Sequence, residues 1–420
     1  MFFGLTRPAR WFALASMFAV SASAAGCSVG STDEEDTAEA STDAITEVTQ
    51  SAVKRQSIGN CWIYATASWS ESLSKNATGR EVNLSESYWT YWHWFEQIAN
   101  GNTGSSISTG GSYNTAAELI NRYGVMLEGS FISNEASAEM SARQASAENA
   151  VNASLKNGVL KSATARRNRA TVRAELNKAW GLTPTVVGHM NRVFGTSVSR
   201  TLDKTATTSG TTIKAARELA IKVWDEKTKR DVTATLQDAI GTRVGFSGRT
   251  GPLAWNEVSY PFDAQGRRNF QKRFQRALHH GVPVVMSWHV DFNALQPGGQ
   301  FKEPPAAPGR QGGHMVVMDD YQVSNVPGFG TLLAGVSETR PEALNAALDN
   351  RATIDFIRIK NSWGSIRPDR NFTDGYHDLW MRYLNGPVKQ CEVDEITDMP
   401  KLDTCFDSTP FEAVVLPPGL

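Results

Sequence analysis

The chain has 420 residues, 42 basic against 43 acidic side chains, and four cysteines. With 40% hydrophobic and 9% aromatic residues it can bury a sizeable core, which excludes wholesale disorder. Balanced charge argues against a general nucleic-acid binder, and four cysteines over this length exclude a disulfide scaffold.

Residues 1–27 read as an export signal. Arg7 and Arg10 supply the positive start, Trp11 to Val20 a short apolar run, and Ala22 to Gly26 the small residues of a cleavage site. The run is too short to span a bilayer of about 30 Å. Ala24-Ala25-Gly26-Cys27 resembles a bacterial lipobox, which implies lipid on Cys27 and attachment to a membrane of the bacterial cell envelope. An ordinary signal cleaved near Ala25, leaving Cys27 free, is the alternative. Residues 28–50 carry seven carboxylates and no basic residue, so they read as an acidic disordered tether.

In Gln56-Ser57-Ile58-Gly59-Asn60-Cys61-Trp62, Gly59-Asn60 is turn chemistry. From Trp62 to Leu73 there is no Gly or Pro, and Trp62, Ala65, Trp69 and Leu73 recur at helical spacing. Cys61 is therefore expected at a helix N-terminus, where unpaired N–H groups favour the thiolate and lower its pKa from about 8.5. A buried structural cysteine is the bland alternative. Two further strings favour chemistry. Gly312-Gly313-His314-Met315-Val316-Val317 places a histidine at the head of an apolar strand. Ile359-Lys360-Asn361-Ser362-Trp363-Gly364 ends another. His314 would take the thiol proton and return it to the leaving amine, Asn361 would orient the imidazole, and Trp363 would shield that hydrogen bond from water.

These three strings, in the order Cys, His, Asn, resemble the papain-like cysteine peptidases, most specifically through Lys360-Asn361-Ser362-Trp363-Gly364. The resemblance implies an α+β fold of two lobes, one helical and one β-barrel-like. It also implies a peptidase acting through a thioester, with peptide or protein as substrate and no metal or organic cofactor. Gly110-Gly111 resembles the family's glycine pair, which binds substrate backbone; a plain loop turn is the other reading. Gln56 is the candidate oxyanion-hole donor, although its spacing to Cys61 is one position shorter than the family's.

His314 lies 253 positions after Cys61, against about 130–150 in papain. The excess falls in 134–245, an Ala-, Ser- and Arg-rich insertion with expected helical runs at Ala136–Lys156, Ala163–Trp180 and Thr211–Lys227. The reading is one catalytic domain over 51–390 with a helical insertion, itself a candidate lid, followed by a tail over 391–420. Leu176 to Pro184, the aromatic run Trp89, Tyr91, Trp92, Trp94 and Phe95, and Leu119 to Val125 resemble the bleomycin hydrolase and bacterial aminopeptidase C branch. That branch runs its C-terminus into the cleft, and Phe411–Leu420 resembles the approach to such an arm. Cleavage at the N-terminus and within the chain both stay open, as does the oligomeric state.

Other residues have plainer readings. Lys161, Arg166, Arg167, Arg169, Arg173 and Lys178 read as a solvated helix face. His279, His280 and His289 read as surface or strand-edge residues rather than metal ligands, and Asp319-Asp320 as a strand-end turn. Cys391 and Cys405 are expected to pair in an oxidising envelope, with free thiols as the alternative. The rival functions are a catalytically inactive, surface-anchored binding protein on the same fold and acyl transfer by the same chemistry.

Overall fold

The computed structural model describes residues 48–245, 248–366, 374–394, 397 and 399–420. The signal, Cys27 and nearly all of the tether lie outside the described residues. The chain is α+β, with a helical N-terminal region packed on a sheet lobe.

The helical region is built around α1 (Cys61–Thr78), α2 (Glu86–Ala99) and α3 (Tyr113–Tyr123). Helix α1 ends at Gly79, whose φ of 67° closes the last turn in the left-handed region. Ser85 caps α2 by accepting from the Tyr88 N–H. All five aromatics of the expected run are buried. Trp92 stacks on Tyr123 at 3.8 Å and meets Tyr88, Phe95 and Phe194 edge-on.

The insertion closes that aromatic core. Its helices are α4 (Arg143–Asn157), α5 (Ala163–Arg167), α6 (Arg169–Trp180) and α7 (Pro184–Phe194). Trp180 lies 5.1 Å from Trp94 and 5.8 Å from Phe131. The expected helix over 163–180 is split at Asn168, whose side chain caps α6 by accepting from Thr171 N–H. Beyond Phe194 the helical expectation fails. Thr211–Lys227 is not a helix: after a short turn at Ala216–Glu218 the chain enters a hairpin of β1 (Ala220–Asp225) and β2 (Arg230–Thr235). Ile221 and Val223 alternate inward as strand residues, and Asp225 accepts from Lys227 N–H in the turn. The short α8 (Leu236–Ile240) and the pair β3 (Thr242–Val244) and β4 (Gly248–Thr250) lead out of the insertion.

The main sheet comprises β5 (Asn256–Ser259), β6 (Val284–Asp291), β7 (Leu295–Gln296), β8 (Gln300–Phe301), β9 (Gln311–Val326), β10 (Gly330–Leu332), β11 (Thr353–Lys360) and β12 (Tyr376–Trp380), joined by one late strand. Helix α9 (Ala264–His279) packs on it, α10 (Pro341–Ala347) meets β9, and α11 (Met381–Asn385) follows β12. Next come β13 (Val388–Gln390) and β14 (Phe406–Ser408), a pair whose ends carry the Cys391–Cys405 disulfide. Residues 391–420 are therefore not an appended tail. Their strand β15 (Phe411–Leu416) lies between β5 and β6, because its Ala413, Val414, Val415 and Leu416 are all buried there.

Strand β9 is longer than expected. Asp319-Asp320 sit in its interior rather than at its end, and Asp320 accepts from Gly335 N–H at 2.8 Å. Burial raises the Asp319 carboxyl to about 7, with Asp320 adding to the effect.

Candidate active site

Cys61 opens α1, half-buried, and the way the chain enters the helix leaves it well supplied with donors. Asn60 stands at the cap position but does not cap. Its amide bonds Thr90 at 3.0 Å and Gln144 at 3.1 Å instead. The Ile63 N–H donates to the Asn60 carbonyl at 3.0 Å, which leaves the Cys61 and Trp62 N–H groups for the sulfur. The backbone N–H groups of Met315, Trp62 and Cys61 all reach the thiol and pull its pKa down, but burial outweighs them. The net direction is upward, opposite to the sequence expectation, because desolvating a thiolate costs more here than the helix end returns.

His314 stands on β9 one residue before Met315. Its Nε2 lies 2.8 Å from Asn361 Oδ1, at the residue following β11. Asn361 Oδ1 also accepts from the Ser362 N–H at 2.7 Å, which fixes the amide so that its oxygen faces the imidazole. Sheet register brings the two together: Lys360 pairs with Val317 across β11 and β9. Trp363 stacks on His314 at 4.9 Å and 22°, and Phe292 lies tilted against Trp363 at 5.3 Å. His314 is 7% exposed and Asn361 2%. Burial lowers the imidazole to about 4, against the Asn361 hydrogen bond. Burial thus disfavours the charged form of the thiol and of the imidazole alike.

The other expected residues fall close by in different ways. Gln56 is tied to the Asn361 loop: its N–H donates to Ser362 O at 2.9 Å and its Oε1 accepts from Ser362 Oγ at 2.6 Å. Its Nε2 donates to Ile58 O at 2.8 Å, so the amide nitrogen is turned toward its own loop. Gly110 and Gly111 are exposed, and Gly111 lies against Trp62. A Cβ on Gly111 would lie 2.5 Å from the Trp62 ring, so only glycine permits this approach. Leu420 is not near this site. Phe411 pairs with Trp288, which pairs with His314, and β15 runs from there away from His314. The Leu420 carbonyl ends on Arg273 of α9, at 2.6 and 2.8 Å.

Several residues read as surface features are packed. Arg173 is 2% exposed and donates to Tyr91 at 2.8 Å, and Arg166 donates to the Thr103 carbonyl at 3.1 Å. His289 is buried against Gln311, His279 bonds Tyr321 and His280 stacks on Trp224. Lone basic residues carry no sequence signal for such burial. Two lysines are also buried nearby. Lys54, just before Gln56, is buried among Glu71, Glu86 and Glu128; burial alone would lower it, and the three carboxylates hold it charged. Lys360 is buried beside Asn361, donating to Ser51 and Ser68, and burial lowers it to about 8. Trp288 meets His314 edge-on at 6.1 Å.

No family model matches the chain, and no curated protein matches it. Among solved structures it is similar to PepW from Lactobacillus rhamnosis HN001, at 13% identity and TM-score 0.42 over 89% of this chain and 82% of that one. It is also similar to the Carica candamarcensis cysteine protease CMS1MS2 in complex with E-64 (12% identity, 87% and 92% coverage, TM-score 0.31). A third is xylellain, a cysteine protease from Xylella fastidiosa (12% identity, 89% and 85% coverage, TM-score 0.34).

Proposed function

We propose that this chain is a papain-like cysteine peptidase. The observation that carries the reading is the orientation of His314: Nε2 is engaged by Asn361 at 2.8 Å under Trp363, while the sulfur of Cys61 lies at the next N–H along the strand. Nδ1 is thereby left to serve the thiol. His314 takes the proton of Cys61 as the sulfur attacks the peptide carbonyl. The oxyanion forms beside the α1 N-terminal N–H groups. Collapse expels the amine, which takes the proton from His314 and leaves a thioester on Cys61. Water, losing a proton to His314, attacks that thioester, and the acid departs as the thiol is restored.

Incubation with an epoxide thiol inhibitor under reducing conditions should label Cys61, and peptide amides should be turned over. Absence of both sinks the reading. Comparing blocked with free-amine peptides separates internal cleavage from removal of N-terminal residues, the second being the habit of the bleomycin hydrolase branch. Export and lipid attachment through Cys27 belong to the same reading. Detergent-phase partitioning should be lost in Cys27→Ser if the cysteine carries lipid, and unchanged partitioning would refute the anchor.

A further inference from the structure

Resting on the peptidase reading and on the expectation that Gly110-Gly111 binds substrate backbone, we propose that His93 and Asn152 are positioning residues, which together with α1 and the rest of the insertion hold the segment 103–111 in its binding shape.

Among the described residues this segment has no sheet neighbour to hold it, yet side chains engage Thr103 and each of the four residues 107–110. Arg166 of α5 donates to the Thr103 carbonyl at 3.1 Å. Asn152 of α4 accepts from the Ile107 N–H at 2.9 Å. Gln97 of α2 takes both backbone groups of Ser108, each at 2.8 Å. Trp62 of α1 donates to the Thr109 carbonyl at 2.9 Å, and His93 of α2 meets the Gly110 carbonyl at 3.1 Å. These bonds do the work that a ladder does in a sheet. After them comes Gly111, exposed, with its N–H and C=O unpaired among the described residues. A peptide in extended conformation would find one donor and one acceptor there, as in strand addition.

His93 ties this strand to the nucleophile. It is 9% exposed and meets Trp62 edge-on at 4.8 Å, and Trp62 is the residue after Cys61. Burial lowers its imidazole to about 4, so at neutral pH the ring is uncharged and has one N–H, which Nε2 gives to Gly110. The insertion acts from behind. Helices α4 and α6 pack on each other and on α2, making the insertion a buttress for the binding strand rather than a lid over the cleft. Holding the strand in its bound shape lowers the ordering cost of substrate binding.

The test is a set of single variants in the full chain. His93→Phe keeps a ring without the donor, and His93→Gln keeps a donor. Asn152→Ala loses the acceptor, and Asn152→Asp keeps it. With peptide amides extending several residues N-terminal to the scissile bond, His93→Phe and Asn152→Ala should each raise KM about tenfold with kcat changed less than about twofold. Single-residue amides and the rate of Cys61 alkylation by iodoacetamide should be unchanged, and His93→Gln and Asn152→Asp should recover most of the loss. Equal effects on long and short substrates, or no effect on either, would overturn the proposal. Should His93→Phe fail to fold, the Asn152 pair decides by the same criteria. A wild-type chain that neither reacts with the epoxide inhibitor nor turns over peptides would instead defeat the peptidase reading itself.

Discussion

Cys61, the proposed nucleophile, stands on the end of a helix packed among tryptophans, whereas His314 and Asn361, its proposed base and orienter, stand on and beside neighbouring strands of a largely aliphatic sheet. The two supports fix position differently. A helix end sets direction: the Cys61 and Trp62 N–H groups reach the sulfur, and the packing of Trp62, Trp69 and Leu73 decides where that end points. A sheet sets register: His314 and Asn361 meet because β9 and β11 pair as they do, and a slip of one residue would turn either side chain to the other face. Damage to the helical half should therefore act through stability and alignment, and damage to the sheet half through the pairing of His314 with Asn361.

The largest effect should come from the nucleophile itself. Cys61→Ala is expected to lower kcat by about 10⁴-fold or more while leaving the melting temperature nearly unchanged, measured by peptide hydrolysis and thermal denaturation. A folded variant with substantial turnover would break the comparison at its root. In the helical half, Trp92→Ala removes a ring in contact with five other aromatics and should cost about 3–5 kcal/mol in denaturant unfolding. A loss well below that would mean the aromatic core contributes little to the stability of the helical half.

In the sheet half, Asn361→Ala should reduce kcat about 100-fold with KM little altered, since it touches the base and not the substrate. An unchanged kcat would remove Asn361 from its orienting role. The smallest effect is on pH. His314 must be neutral to accept the proton, and its pKa is lowered to about 4. Activity should therefore hold as pH falls from 7 to 5 and drop only as pH passes through about 4 and the imidazole protonates. Loss centred near 6.5 in kcat/KM would show an imidazole that is not desolvated.

The parts of the site legible in the sequence were those where local chemistry demands a residue type. Cys61 after a glycine turn, His314 heading an apolar strand and Asn361 ahead of Trp363 each announce themselves within a few positions. What escaped depends on distant partners. His93 is one histidine within an aromatic helix, and nothing nearby signals that it faces the Gly110 carbonyl. The direction of the Cys61 shift was missed because burial is a property of the assembled lobes, not of the helix end. Thr211–Lys227 lacks proline and glycine apart from its flank at Gly210, which suggested helix. The alternation of Ile221 and Val223 was the better signal, and it becomes decisive only against the partner strand. Phe411–Leu420 resembles the approach to a C-terminal arm, because a short apolar run does not say which neighbours it will join.

That last strand has a consequence for how the protein is made. Ala413 pairs with Ser259, 154 positions earlier, and Val414 pairs with Met286, so the sheet carrying His314 is completed only after the long stretch between them has been synthesised. Until then β5 and β6 each show a raw edge to anything with a free strand. Assembly dominated by such distant pairings is slow, and the unfinished molecule is the one most in need of protection from its neighbours.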